Sequence, residues 1–272
     1  MHAIWETPPL DVLAAMRSER ESLVETLRSC SDDDWSRPTA CAAWDVRGLV
    51  AHMVDTDLRV VSAVRDHHTA AWFTGPADEL AAHLDAVNRR FVDAVPGWSG
   101  RVLTALLAAS GTAVVATLAS ADPMQPTFGV SWAGVEPTAP RWFGTAREYT
   151  EHWVHGRQVR LALGVPPLDD AVHLAPVIDT FRWCLPPALD RLGGPRPASV
   201  RVEIHGAVER EWHLARSTDG WAFVGGEQGD ADEIVHLDAL EAVRTWTAPR
   251  ARLATRPATA LVAVAAARAI VV

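Results

Sequence analysis

Apolar positions recur at helical spacing through the first part of the chain and alternate like strands in the last third. From Asp11 to Arg28, Val12, Leu13, Met16, Leu23 and Leu27 fall on one stripe, which predicts an amphipathic helix. Ser31-Asp32-Asp33-Asp34-Trp35-Ser36-Arg37-Pro38-Thr39 breaks that period. Asp45 is placed to cap a second helix from Val46 to His67, because its short acidic side chain can accept from amides of the first turn. A third helix is expected from Ala77-Asp78 to Val95, stopped by Pro96-Gly97. A fourth covers Arg101–Ser120, where Gly111 and the valines weaken the helical preference. Asp122–Pro140 is rich in Pro and Gly and reads as a long loop with short strands around Phe128–Trp132. Thr145–Leu163 returns to helix and is closed by Gly164 and Pro166.

After Pro166 the texture changes. Ala171–Leu192 reads as helix interrupted at Pro186-Pro187, and Gly193-Gly194-Pro195-Arg196-Pro197 as a turn or linker. Val200–Ile204, Glu211–Ala215 and Trp221–Val224 read as strands, with Ser217-Thr218-Asp219-Gly220 turning the last two into a hairpin. Asp238–Thr247 is again helical. The predicted class is therefore α+β. An up-and-down four-helix bundle over residues 1–168 is followed by a small α+β domain over residues 169–272. The core of such a bundle is a usual place to build a metal site.

Composition narrows the function classes. A chain of 272 residues, 49% of them hydrophobic, has ample material for a packed core. A formal charge of −9 argues against a nucleic-acid binder, which needs a basic surface to displace counterions. Three cysteines, Cys30, Cys41 and Cys184, form neither a disulfide framework nor a thiolate zinc site. All 25 basic residues are arginine, so a lysine-bearing phosphate loop and a Schiff-base mechanism are both excluded. No run of about 18 continuous apolar residues is visible, so no membrane span is expected. The opening residues lack a basic segment followed by an apolar one, and the cytoplasm is the expected location. Ala260–Val272, short and carrying Arg268, reads as a buried closing element.

The candidate chemistry lies in Glu151-His152-Trp153-Val154-His155 together with His52. Residues four apart share a helix face, so Glu151 and His155 can aim a carboxylate and an imidazole at one point. A third nitrogen from another helix would make a two-His, one-carboxylate metal site with positions left open for catalysis. Glu148 and His152 have the same spacing, however. On a helical projection Arg147, Thr150, Arg157 and Arg160 mark the wet side, with His155, Val159, Glu148 and His152 opposite them and Glu151 nearer the edge. The plainer alternative is a solvated carboxylate–imidazole pair contributing a few tenths of a kcal/mol. Cys41 reads as a small buried residue rather than a nucleophile, and Trp35 and Trp44 as packing rather than pocket walls. Trp132 and Trp142 fit a lid or plain packing equally well. His67-His68 read as solvated, and His205, His213 and His236 as too scattered to form a site.

The run Asp34-Trp35-Ser36-Arg37-Pro38-Thr39-Ala40-Cys41-Ala42-Ala43-Trp44-Asp45-Val46-Arg47-Gly48-Leu49-Val50-Ala51-His52 resembles the DW-x-x-PT-x-C-x-GW-x-V-x-DL-x-AH pattern of the mycothiol-dependent maleylpyruvate isomerase family, within the wider DinB superfamily. The block from Glu151 through His155 and Gln158 to Ala162 and Gly164 resembles the same family's E-x-W-x-H-x-x-D-x-x-x-A-x-G. Ala231-Asp232 onward, to Ala269-Ile270-Val271-Val272, is similar to its small, sterol-carrier-like α+β domain.

The resemblance implies that His52, Glu151 and His155 hold a divalent metal, with zinc as the usual ion. It implies mycothiol or another low-molecular-weight thiol as cosubstrate, and cis–trans isomerisation or S-transfer on an electron-poor small molecule. Arginine could bind a carboxylated substrate. A metal-dependent hydrolase and a non-catalytic metal-binding or small-molecule-binding protein are the alternatives, with monomer and homodimer both open. The sequence departs from the family pattern at Gln158 and Gly48, where Asp is usual, and at Ala43, where Gly is usual.

Overall fold

The helices α1 (Leu13–Arg28), α2 (Val46–Val64), α3 (Leu80–Ala94), α4 (Gly100–Ser120) and α5 (Arg141–Leu163) follow the predicted order. They belong to a mixed α+β computed structural model that describes residues 3–69, 79–192, 197–225, 230–247 and 259–269. The expected third-helix start at Ala77-Asp78 and the turn at Gly193–Arg196 lie outside the described residues. Contacts divide the chain into two compact units. One is Val12–Asp122 with Glu148–Leu168; the other is Met1–Asp11 with Pro123–Arg147 and Asp169–Val272.

In the helical unit α2 packs on α4, and α4 on α1. Leu23 and Leu27 of α1, Leu49, Val50 and Met53 of α2, Leu103 and Leu107 of α4, and Val159 of α5 share one apolar core. The α2 cap forms as its sequence predicts, with Asp45 Oδ1 accepting from Gly48 N at 2.8 Å. The loop before it is fixed by Thr39 Oγ1, which donates to Trp44 O at 2.7 Å and accepts from Cys41 N at 3.1 Å. That loop delivers Trp44 to the first turns of α2. The helix ends at Val64, short of the predicted His67, which adopts a left-handed φ of 56°.

By length and average composition alone α4 is long and apolar enough to cross a membrane, with a mean hydropathy of 2.0 over 18 residues, although polar residues such as Thr104 and Ser110 interrupt its apolar run. Half of that window is buried inside the protein. Its apolar positions pack against α1 and α2, and its Ser110 hydroxyl donates to Asp57 Oδ2 at 2.7 Å.

Asp57 is the centre of a buried polar cluster that joins four helices. Arg20 on α1 donates from Nη1 to Asp57 Oδ2 at 2.8 Å and from Nη2 to Asp57 Oδ1 at 3.3 Å. The same Nη2 donates to His152 Nδ1 of α5 at 3.0 Å. Because arginine only donates, His152 Nδ1 is the accepting nitrogen and the ring proton sits on Nε2. That Nε2 lies 2.8 Å from Asp57 Oδ1, in a contact less well directed than a hydrogen bond. The side chains of Arg20, Asp57 and His152 are 5%, 0% and 2% exposed. Gly111 of α4 gives Arg20 its passage, since a Cβ there would lie 2.5 Å from Arg20 Cγ. The residue that weakens the helical preference of α4 is thus required by the packing.

In the other unit, the expected long loop is largely a hairpin. β1 (Pro126–Val130) pairs antiparallel with β2 (Val135–Pro140), and Val130, Val135 and Ala139 share an apolar cluster with Ile4, Trp142 and Phe143. Trp142 is buried there, and the Trp132 ring packs 5.8 Å from Phe143 and 6.2 Å from Phe181, so both tryptophans are packing residues. The single helix predicted over Ala171–Leu192 is α6 (Ala171–Phe181) and α7 (Leu185–Asp190), separated by a 3-10 turn at Arg182–Cys184. Pro186 and Pro187 fall in the first turn of α7, where a missing amide proton breaks no helical bond.

β3 (Ser199–His205), β4 (Arg210–Ser217) and β5 (Gly220–Phe223) form the expected antiparallel run, extended by β6 (Glu233–Asp238) to give the order β5-β4-β3-β6. β6 runs parallel to β3 and was not anticipated. Asp238 caps α8 (Ala239–Trp246), accepting from Leu240 N and Glu241 N, and α9 (Ala260–Ala265) follows. Ala267 and Ala269 are buried, as expected of a closing element, and residues 270–272 lie outside the described set.

Burial raises the Asp57 pKa, but Arg20, His152 and Ser110 outweigh it and hold the carboxyl below its ordinary range. Asp57→Asn leaves Arg20 buried without its counter-charge and should lower unfolding free energy by about 3–5 kcal/mol in denaturant titrations. A depressed carboxyl stabilises fully above its unfolded pKa of 3.8 and loses that contribution as pH falls through the folded value. The stability gap between wild type and Asp57→Asn should therefore stay level from neutral pH down to about 5 and narrow below about 4.

Candidate metal centre

His52 sits in the second turn of α2, buried among core residues. The Trp44 indole stacks on it, with ring centroids 4.7 Å apart and planes 26° from parallel. Gly48 makes room for that indole, because a Cβ at 48 would lie 3.0 Å from Trp44 Cβ and 3.2 Å from its Cγ. The departure from the usual Asp at this position therefore has a local consequence, the close approach of Trp44 to the helix. Burial pushes the His52 pKa down to about 3; His155 adds to the effect and Glu151 opposes it. The ring is neutral near pH 7, with a nitrogen lone pair to offer. Its Nδ1 is buried with no hydrogen-bond partner, an uncommon state for a polar atom.

His155, on α5, meets His52 edge to face, with centroids 5.1 Å apart and planes at 88°. Its Nδ1 lies 2.9 Å from Gln158 Oε1. A carbonyl oxygen only accepts, so Nδ1 carries the proton and Nε2 keeps its lone pair. That Nε2 is 3.4 Å from Glu151 Oε2. Gln158 thus does for His155 what an acidic residue does in other metal sites: it fixes the tautomer and the ring plane, here without adding charge. The Glu151 side chain is 19% exposed, so the pair opens toward solvent on the carboxylate side.

The structure brings Glu151 to His155 and His155 to His52. Among the described residues, three donors all within 4.8 Å of one another occur at Glu203, His205 and His236, whereas the approach in the helical unit is pairwise. His152 turns to Arg20 and Asp57, so the alternative register is committed to the buried cluster. Two imidazoles and a carboxylate form a donor set that suits zinc and similar divalent ions, and the partnerless His52 Nδ1 is the atom such an ion would satisfy.

Of the other residues singled out in the sequence, Trp35 is buried in the core and Cys41 is buried with its thiol pKa pushed up by desolvation, so neither is poised for chemistry. Arg59, missed in the sequence, lies two turns beyond His52 on α2. It pairs with Asp55 at 3.0 Å and donates to Asn88 at 2.8 Å, and its charge also disfavours a proton on His52. The signal for Arg20 and Asp57 was available as charges set within apolar stripes, beside Met16 and Leu23 and beside Val54 and Val60.

A family model described as the mycothiol maleylpyruvate isomerase N-terminal domain matches residues 16–160. Two solved structures are similar over 90% of this chain and 91% of theirs. A mutant of the mycothiol-dependent maleylpyruvate isomerase is 10% identical with a TM-score of 0.51. A structure described simply as that enzyme is 11% identical with a TM-score of 0.44. The first of these likenesses establishes a shared fold. No curated protein sequence matches the chain.

If Gln158 orients His155, Gln158→Leu should weaken metal binding by about 10–100-fold, while Gln158→Asp should retain most of it. Competition against a chromogenic chelator reads both.

Proposed function

The chain belongs to the mycothiol maleylpyruvate isomerase N-terminal domain family, and from that premise we propose a metal-dependent enzyme that uses a low-molecular-weight thiol on an electron-poor small molecule. Its ligands in this reading are His52, Glu151 and His155, with zinc as the ion and mycothiol as the thiol. The observation that carries it is the neutral, partnerless His52 facing a His155 whose Nε2 is left unprotonated by Gln158. When bound, such an ion lowers the pKa of a thiol and favours its thiolate, the form that adds to a double bond conjugated with a carbonyl.

The chain's own residues supply the rest. Trp44 and the core around α2 shield His52 from water, and Gln158 holds the His155 ring in one tautomer. Arg59 carries a positive charge near His52, and with Nε at Asp55 and Nη2 at Asn88 its Nη1 can take a substrate carboxylate. Thiol addition, rotation about the resulting single bond and thiol loss amount to cis–trans isomerisation, and addition alone to S-transfer. The helical unit, ending at Leu168, corresponds in this reading to an up-and-down four-helix bundle of the DinB type, and the remainder to the family's small α+β domain. A cytoplasmic location fits the use of a small reducing thiol.

Turnover of a cis-configured unsaturated keto acid, followed by mass spectrometry, should require both the metal and the thiol. His52→Ala and His155→Ala should each lower it by more than the ~10–100-fold that loss of an orienting partner costs. Turnover that proceeds equally without any thiol would rule this reading out, and products that together gain the mass of one water would point to the hydrolase instead. Arg59→Ala should raise KM for a carboxylated substrate with a smaller change in kcat, as expected for loss of ground-state binding.

A further inference from the structure

Alternation along β3 buries Val200, Val202 and Ile204 and turns Arg201, Glu203 and His205 to the other face. The parallel pairing sets Glu203 beside His236 and His205 beside Asp238. On β6 Val235 is buried while His236 points outward with Glu203 and His205. Three donors from two strands therefore meet on one open face of the sheet. Glu203 Oε2 is 3.0 Å from His236 Nδ1 and 3.5 Å from His205 Nε2. The donor atoms of all three residues lie within 4.8 Å of one another, and the two rings stack with centroids 5.8 Å apart. Donors bound tetrahedrally at about 2.0–2.1 Å stand about 3.4 Å apart, so the spacing is already close to that of a bound ion.

Two of the three donors, His205 and Glu203, are also held by a further partner. Glu209 Oε2 lies 3.0 Å from His205 Nδ1, and Glu209 Oε1 accepts from Gly206 N at 3.0 Å, which anchors the carboxylate. A carboxylate on one ring nitrogen leaves the other to face the ion, the arrangement common behind metal-bound histidines. Arg201 Nε lies 2.9 Å from Glu203 Oε1, leaving Oε2 to the cluster. The side chains of His205 and His236 are 51% and 62% exposed, so an ion has direct access and open positions for water.

We propose that Glu203, His205 and His236 form a second, solvent-exposed site for a late first-row divalent cation such as zinc, distinct in residues and in burial from the candidate centre of the helical unit. The nitrogen-rich donor set selects zinc, nickel or copper over magnesium or calcium.

The test is calorimetric titration of the full-length, metal-stripped chain with Zn2+ alone. Wild type should take up one equivalent more than the His205→Ala/His236→Ala variant. Both substitutions are on an exposed face, and circular dichroism checks that the fold is kept. Glu209→Gln should keep the stoichiometry and weaken this equivalent about tenfold. His52→Ala should leave it untouched, which separates this site from the proposed catalytic one. Equal stoichiometry and affinity in wild type and the double variant would overturn the proposal, whatever happens to thiol-dependent turnover. Broadening of the His205 and His236 ring resonances by substoichiometric Ni2+ gives a second reading without any variant, and unchanged resonances would likewise count against the site.

Discussion

The helical unit is organised around one buried charge pair, Arg20 with Asp57. Placing two full charges in a core is unfavourable unless each finds nearly all its partners, and a well-packed apolar pair would often serve stability as well. Here Asp57 is met by the Arg20 fork, the Ser110 hydroxyl and the His152 ring. Together with Asp57 these groups come from α1, α2, α4 and α5, so completing the cluster constrains the relative arrangement of the four helices. It holds α5 in one rotation about its own axis, with His152 set against Asp57 and His155 against His52 of the same helix α2.

With His152 committed to the pair, the residues three further on and one before come to the adjoining flank of α5, roughly 60° and 100° round the helix from His152. His155 meets His52 there, and Glu151 stands beside His155. The candidate centre is thus a consequence of the buried pair as much as of its own residues. Its electrostatics also differ from a carboxylate-braced site. Gln158 accepts from His155 without contributing negative charge, so the imidazole is oriented by a neutral partner.

The helices of the first unit were legible because their signals are local: the apolar stripes of α1 and α2, the Asp45 cap and the Gly164 stop all appear within a few residues of what they control. The choice between Glu148/His152 and Glu151/His155 was not local. It depends on Arg20 and Asp57, which lie 132 and 95 positions from His152 in sequence. Spacing left that choice open, and resemblance to a family favoured one register before any packing was visible. In the other unit β3 to β5 announce themselves by alternation and a Gly-containing turn. β6 did not, since Glu233-Ile234-Val235-His236-Leu237-Asp238 is half polar and has no hairpin partner beside it in sequence. The helix predicted over Ala171–Leu192 ran too long because its prolines mark a new start rather than a kink.

The histidines of the sheet show why scattered residues are hard to dismiss from sequence. His205 and His236 are 31 positions apart, and antiparallel pairing with β4 alone would never have joined them. A parallel partner arriving after β5 places His236 next to Glu203, and the two-residue period of β3 adds His205 to the same face. A one-residue slip of β6 would send His236 inward and Val235 outward, exposing an apolar residue and burying an imidazole. The register that assembles the three donors is therefore enforced by burial of Val235 against the core, a hydrophobic constraint that is indifferent to metals. Chance proximity would stop at that point. The additional bracing of His205 by Glu209 and of Glu203 by Arg201 is not required by the register, and it is what distinguishes a prepared set of ligands from neighbours brought together by a strand.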